Sequence, residues 1–522
     1  MNREENLKQL RDKSNIWDIA VIGGGSSGLG VALDAVSRGL SVVLLEKADF
    51  AKGTSSRSTK LVHGGVRYLA QGDIALVLEA LKERGMLLKN APHLTQNQPF
   101  IIPIYTWWDR IQYSAGLKIY DWMAGKLRLG KSRFISKSET IKRLPAVLQK
   151  GLKGGVVYHD GQFDDARLAL NIAQTADELG ACVLNYMKVS GLVKNDSGKI
   201  SGLKVIDEQS KEKLEIQAKM VVNATGVFAD KILQMDNPEA PKTIQPSQGI
   251  HLVMDLDFLG GKDALMIPKT RDGRVLFAVP WHNKLVVGTT DTLREKAKLE
   301  PEALQKEIDF VLETASGYLT KKPTRADIKA VFAGLRPLAR PKEGSTKTKE
   351  ISRSHKVIVS QSGLVTLTGG KWTTYRKMGE DTVDYFTQIT GQTLNPSKSL
   401  NQKIHGFTTE IPSGHWSVYG SDAAKIQQLA KGNPEWSEPI HPAFPNILAE
   451  VVWSCQNEMA VKVEDVLSRR IRMLILDAQA ALDSAEKVAQ TMAAALQKDH
   501  KWIESELADF KKTAEKYLIK ST

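Results

Sequence analysis

Cysteine is nearly absent: Cys182 and Cys455 are the only two in 522 residues. So few exclude a disulfide scaffold and lead to the expectation of a reducing, cytoplasmic setting. No CxxC pair occurs, and the ten histidines lack HxH or HxxxH spacing, so no metal centre is expected. No apolar run approaches the length needed to span a bilayer. The charged opening MNREENLKQLRDKSN has no apolar stretch behind it, and no secretory signal is expected. Low-complexity tracts and internal repeats are missing too. What remains is an ordinary globular composition with an excess of positive charge, +13. That charge suits phosphorylated ligands, an anionic membrane surface or nucleic acid, or simply a solvated lysine-rich exterior. The length predicts two or three domains.

Glycine is abundant where it counts. In DIAVIGGGSSGLG (residues 18–30), a short apolar strand runs into Gly23, Gly25 and Gly28, which satisfy G-x-G-x-x-G. A helix is predicted from residue 29 to Arg38, ending at Gly39, and SVVLLE then forms a second strand tipped by Glu46. This is a complete dinucleotide-binding βαβ unit. The glycines allow a tight turn and close approach to a pyrophosphate, and Ser26 and Ser27 open the helix whose free N–H groups favour negative charge. Glu46 is placed to accept hydrogen bonds from a ribose.

Three further segments bear on which dinucleotide is bound. KGTSSRSTKLVHGGVRYL offers Thr54, Ser55, Ser56, Lys60, Gly64 and Gly65 directly after the ribose acid. Further on, VVNATG ends in Ala224, Thr225 and Gly226, and LVTLTGGKWTTYR carries Gly369, Gly370, Thr373 and Thr374. Elements so widely spread would wrap one long cofactor, which suits non-covalent FAD better than a nicotinamide nucleotide. His63 reads as a buttress of the flavin loop, and helix capping alone would account for the two threonines.

With IGGGSSGLG, TSSRSTKLVHGGVRYL, DDARL, VVNATG, GTTD, AGLRPL and TGGKWTTYRKM, the chain resembles the FAD-dependent glycerol-3-phosphate dehydrogenases, of the glycine-oxidase and D-amino-acid-oxidase type of flavoprotein. The tail EMAVKVEDVLSRRIRMLILDAQAAL is similar to that family's C-terminal domain. The resemblance implies an α/β fold: a Rossmann-like FAD-binding domain interleaved with an antiparallel-sheet substrate domain, plus a C-terminal helical cap. FAD-binding segments are expected near 15–75, 155–240 and 335–395, and substrate segments near 76–154 and 241–334. The helical domain is expected over 396–522.

The resemblance also implies a substrate, sn-glycerol 3-phosphate, oxidised to dihydroxyacetone phosphate with hydride passing from C2 to flavin N5. Carried onto matching positions, it gives Arg67, Tyr68, Arg353 and Lys371 as binders of phosphate or substrate oxygens. His251 is implied as the base, with Arg336 as its rival beside the reacting carbinol; a histidine's ordinary pKa suits the task. Electrons would pass to a quinone or another acceptor. The stretch FIIPIYTWWDRIQYSAGLKIYDWMAGKLRLGKSRF (100–134) is rich in aromatic and basic residues. It is read either as an amphipathic element on the inner face of the cytoplasmic membrane or as a core helix with a basic face. A homodimer is the expected assembly. The rival readings are a soluble oxidase that makes hydrogen peroxide, a flavoprotein that binds or modifies nucleic acid, which is disfavoured, and a non-catalytic FAD sensor.

Overall fold

The computed structural model describes residues 1–65, 73–340 and 354–519. Its first sheet has eight strands and is built outward from Ile16–Ile22, which pairs in parallel with Val42–Leu45 on one side and Lys213–Asn223 on the other. Cys182–Leu184 and Val365–Thr368 extend the parallel core. Every residue of Val42–Leu45 is buried, as expected of a parallel strand covered on both faces. Lys213–Asn223 changes character along its length. Its outer half alternates exposed and buried where it pairs antiparallel with Ile200–Asp207, and its inner half is buried throughout. The helices Ser26–Ser37 and Asp165–Glu178 contribute to the apolar cluster on one face of this sheet, together with Tyr375 and Met378.

The second sheet has ten strands and is mostly antiparallel. A single parallel pairing, Ala264–Ile267 with Thr95–Ile104, departs from the antiparallel expectation. Sheet membership also moves two expected bounds. Gly154–Phe163 pairs with Thr95–Ile104, and Ala330–Ala339 pairs with Ile244–Asp255, so both strands belong to the second sheet. The hydrophobic content of these strands is the same in either sheet; only long-range pairing assigns them.

The C-terminal helices Leu448–Asn457, Ala478–Leu496 and His500–Ala514 pack over the second sheet, sharing a core with Val253, Trp281, Val286 and Phe332. They also reach the first domain through buried ion pairs. Arg470 donates to Asp49, and Arg167 forms a two-pronged pair with Glu458 at 2.9 and 2.8 Å. Among the described residues no helix is long and apolar enough to cross a membrane.

The stretch 100–134 is not one amphipathic element. Residues 100–104 complete the buried strand Thr95–Ile104, a helix spans Trp107–Ala124, and a short strand follows at Arg133–Ser136. Only the helix carries exposed aromatics: Trp108 is 73% and Trp122 81% exposed.

Candidate active site

A cavity of about 830 Å3 lies between the two sheets, at the large end for small-molecule sites. The parallel strands of the first sheet point their carboxyl ends at it: Ile22 runs into Gly23, Leu45 into Glu46, Asn223 into Ala224 and Thr368 into Gly369. This is where open α/β sheets bind their ligands.

One end of the cavity is a nucleotide cradle. Gly23 has φ +110°, and a Cβ there would fall 2.8 Å from the Ala224 carbonyl oxygen. A Cβ on Gly28 would fall 1.9 Å from the Gly23 carbonyl oxygen, so only glycine lets helix and turn meet. Gly25 is different: a Cβ there would meet only the Ser55 hydroxyl, at 3.1 Å, on the side facing the cavity. Gly25 is also the N-cap of Ser26–Ser37 and has no side chain with which to cap it. Its first N–H, on Ser26, donates to Ser55 Oγ at 2.9 Å. The Trp372 indole donates to the Ser55 carbonyl at 2.7 Å, which stitches two of the predicted segments together. Glu46 is held by the amides of Gly24 (2.7 Å) and Ala48 (2.8 Å), and burial raises its pKa. A helix start at the cavity edge, a glycine turn closed by backbone and a carboxylate fixed at a strand tip fit the pyrophosphate and ribose of FAD.

The other end is built by the second sheet. His251 and Arg336 stand on neighbouring antiparallel strands, in the register His251↔Phe332 and Ser247↔Arg336, so alternation puts both on one face. Between them lie Gly249 and Gly334. A Cβ on Gly249 would fall 2.4 Å from Arg336 Nη2. Arg336 donates to Thr289 Oγ1 (3.2 Å) and Asp291 Oδ1 (3.4 Å). His251 Nε2 lies 2.9 Å from Thr59 Oγ1, and its ring stacks on Phe332. Burial, then Lys60 and then Arg336, lower the His251 pKa well below its ordinary value, so the imidazole is neutral at physiological pH. Lys371 and His63 also line the cavity.

Most predicted positions line the cavity: Gly23, Gly25, Ser26, Ser27, Glu46, Thr54, Ser55, Ala224, Thr225, Gly226, His251, Arg336, Gly369, Gly370, Lys371 and Thr373. Gly28, Ser56, Gly64, Gly65 and Thr374 stand behind it. The Gly64 amide donates to Tyr120 Oη at 2.8 Å. Thr373 Oγ1 accepts from the His63 amide, and Thr374 makes no capping bond. Lys60 turns away from the cavity altogether. Its fully buried ammonium donates to Asp165 (2.7 Å) and the Ser56 carbonyl (2.8 Å), and burial lowers its pKa to about 8. Asp165 is a hub that also accepts from Ser58 (2.7 Å) and from Arg472 of the C-terminal domain (2.7 Å). Arg67, Tyr68 and Arg353 lie outside the described residues.

Sequence reasoning missed Thr59, Gly249 and Gly334, although Thr59 and Gly334 sit inside quoted motifs, because nothing local marks which residue of a motif faces inward. It also missed Lys188, Phe228 and Lys231, which line the cavity from scattered elements with no shared motif.

Comparisons with known proteins identify the family and the fold. A family model described as FAD dependent oxidoreductase matches residues 18–376, and one described as the C-terminal domain of alpha-glycerophosphate oxidase matches 361–502. A mitochondrial glycerol-3-phosphate dehydrogenase of Bos taurus is 38% identical, covering 99% of this chain and 75% of that protein. One of Arabidopsis thaliana is 38% identical over 94% of this chain and 84% of its own. The solved structure of a glycerol-3-phosphate dehydrogenase from Bacillus halodurans complexed with FAD superposes with a TM-score of 0.81 and 28% identity, covering 100% of this chain and 99% of that one. FAD is therefore the cofactor of this chain. Cradle, second sheet and helical C-terminal domain run together through one chain, which belongs to the FAD-dependent glycerol-3-phosphate dehydrogenases.

Proposed function

We propose that the protein oxidises sn-glycerol 3-phosphate to dihydroxyacetone phosphate. What chiefly supports this is that His251, Arg336 and Lys371, from three distant segments, all line the cavity that the glycine cradle opens into. Lys371 is assigned to the phosphate, where a charge-assisted bond is strongest; Arg67, Tyr68 and Arg353 join it on family resemblance. Arg336 sits at the reacting carbinol and stabilises charge that develops on its oxygen. The neutral His251 receives the hydroxyl proton. Non-covalently bound FAD supplies the two-electron oxidant at C2. Anaerobic addition of glycerol 3-phosphate is expected to bleach the flavin absorbance; glycerol, lacking the phosphate, is expected to do so far more slowly. An unbleached flavin would overturn the reading.

We assign the electrons to a quinone at the inner face of the cytoplasmic membrane. In support, the helix Trp107–Ala124 presents Trp107, Trp108, Ile111, Ile119 and Trp122 to the exterior, with Ile74 and Leu78 of the neighbouring helix exposed as well. Arg110 lies over the rings of Trp107 and Phe134, and Lys153 over that of Trp107, giving the basic rim expected at an anionic interface. The rival acceptor is oxygen. Hydrogen peroxide measured per turnover separates the two.

A further inference from the structure

The His251 ring is clamped. It stacks on Phe332, with centroids 4.8 Å apart and planes at 15°, and a Cβ on Gly288 would fall 2.4 Å from its Cδ2. Nδ1 is buried and has no hydrogen-bond partner among the described residues. Proton exchange with the cavity therefore runs through Nε2, and Thr59 Oγ1 already lies on that atom at 2.9 Å. Thr59 itself faces the cavity. Its neighbours hold it there: Ser58 Oγ and Lys60 Nζ each donate to Asp165 at 2.7 Å, so the loop is tied down on both sides. Resting on the substrate reading above, we infer that Thr59 is a proton relay between the substrate hydroxyl and His251.

Thr59 Oγ1 accepts the proton of the C2 hydroxyl while its own proton passes to Nε2. The substrate O–H and Thr59 O–H bonds break, and a new Thr59 O–H and an Nε2–H form. The C2–H electron pair leaves with its hydrogen for the flavin, and the carbonyl forms; threonine is regenerated and histidine ends protonated. The relay requires Nε2 bare and Nδ1 protonated in the resting enzyme. The charges facing His251 are Lys60 from the loop and Arg336 from the adjacent strand, both cationic, and with burial they keep it neutral.

The test uses FAD-loaded protein labelled with 15N-histidine, the His251 signal being the one missing from H251Q. A neutral ring with bare Nε2 is expected, whereas a bare Nδ1 would overturn the relay. That readout needs no substrate, so it stands even if glycerol 3-phosphate fails to reduce the wild-type flavin, which would instead sink the substrate reading. In anaerobic stopped-flow, Thr59→Val is expected to bind FAD normally yet slow flavin reduction about a hundredfold, within the range for lost general-base catalysis. Thr59→Ser should recover to within a few-fold. The wild-type rate should stay level as pH falls through 6.5, because the base is already neutral there. Wild-type speed in Thr59→Val, flavin loss from it, or no rescue by serine would each overturn the proposal.

Discussion

Asp49 shows how far the C-terminal domain governs the cofactor loop. It lies three residues past Glu46, wholly buried, and accepts from Arg470 Nη2 at 3.0 Å, Arg469 Nε at 2.5 Å and Asn185 Nδ2 at 3.1 Å, with a second bond from Arg470 Nη1. Asp49→Ala strands charge unequally. Arg469 keeps Glu464 (2.8 Å) and Asp465 (2.7 Å), whereas Arg470 keeps only the Glu458 carbonyl at 2.7 Å and a distant contact with the Glu458 carboxylate. Breaking a buried pair costs about 3–5 kcal/mol. With one of the two arginines still paired, about 3 kcal/mol is expected. Urea unfolding followed by flavin fluorescence should show a lowered midpoint, and the variant should lose FAD on dilution before the wild type does. Burial alone would raise the Asp49 pKa, but Arg470 and Arg469 outweigh it and hold it below the ordinary 3.8. A depressed carboxylate pKa stabilises above the unfolded-state value, and that stabilisation drains away as pH falls through the folded one. The gap between wild type and variant should therefore be full at pH 7 and shrink below about pH 4. Arg470→Met added to Asp49→Ala should recover part of the loss. A single variant within about 1 kcal/mol of wild type, with full FAD, would refute the claim that this pair secures the loop.

Lys371→Ala should lower kcat/KM for glycerol 3-phosphate about ten- to a hundredfold, the worth of one charge-assisted contact of roughly 1.5–3 kcal/mol. Arg336→Ala should instead depress kcat with FAD content unchanged, and wild-type flavin reduction in either variant would contradict its assigned role. Gly25→Val should fold but purify colourless, since a side chain there meets little protein and points where the pyrophosphate belongs; a yellow variant would refute the cradle. Replacing Trp108 and Trp122 with Glu should abolish co-sedimentation with anionic vesicles while leaving anaerobic flavin reduction intact, and retained binding would remove that helix from the interface.

The cofactor end of this protein was legible in the sequence because its determinants are local. Gly23, Gly25 and Gly28 act on a turn of their own backbone, and Glu46 ends the very next strand, so spacing along the chain is spacing in the fold. The reacting end was legible only through resemblance, since His251 and Arg336 share a face solely because two strands 85 residues apart pair in one register. Lys60 illustrates the limit. Its motif marks it as a cofactor contact, but Asp165, from a distant part of the chain and also paired with Arg472, draws its ammonium away from the cavity. The aromatic stretch 100–134 likewise divides into a buried strand and an exposed helix because Thr95–Ile104 finds its partner in Gly154–Phe163. Local backbone chemistry is written in neighbouring residues, whereas strand register and the pairing of buried charges are settled only when distant segments meet.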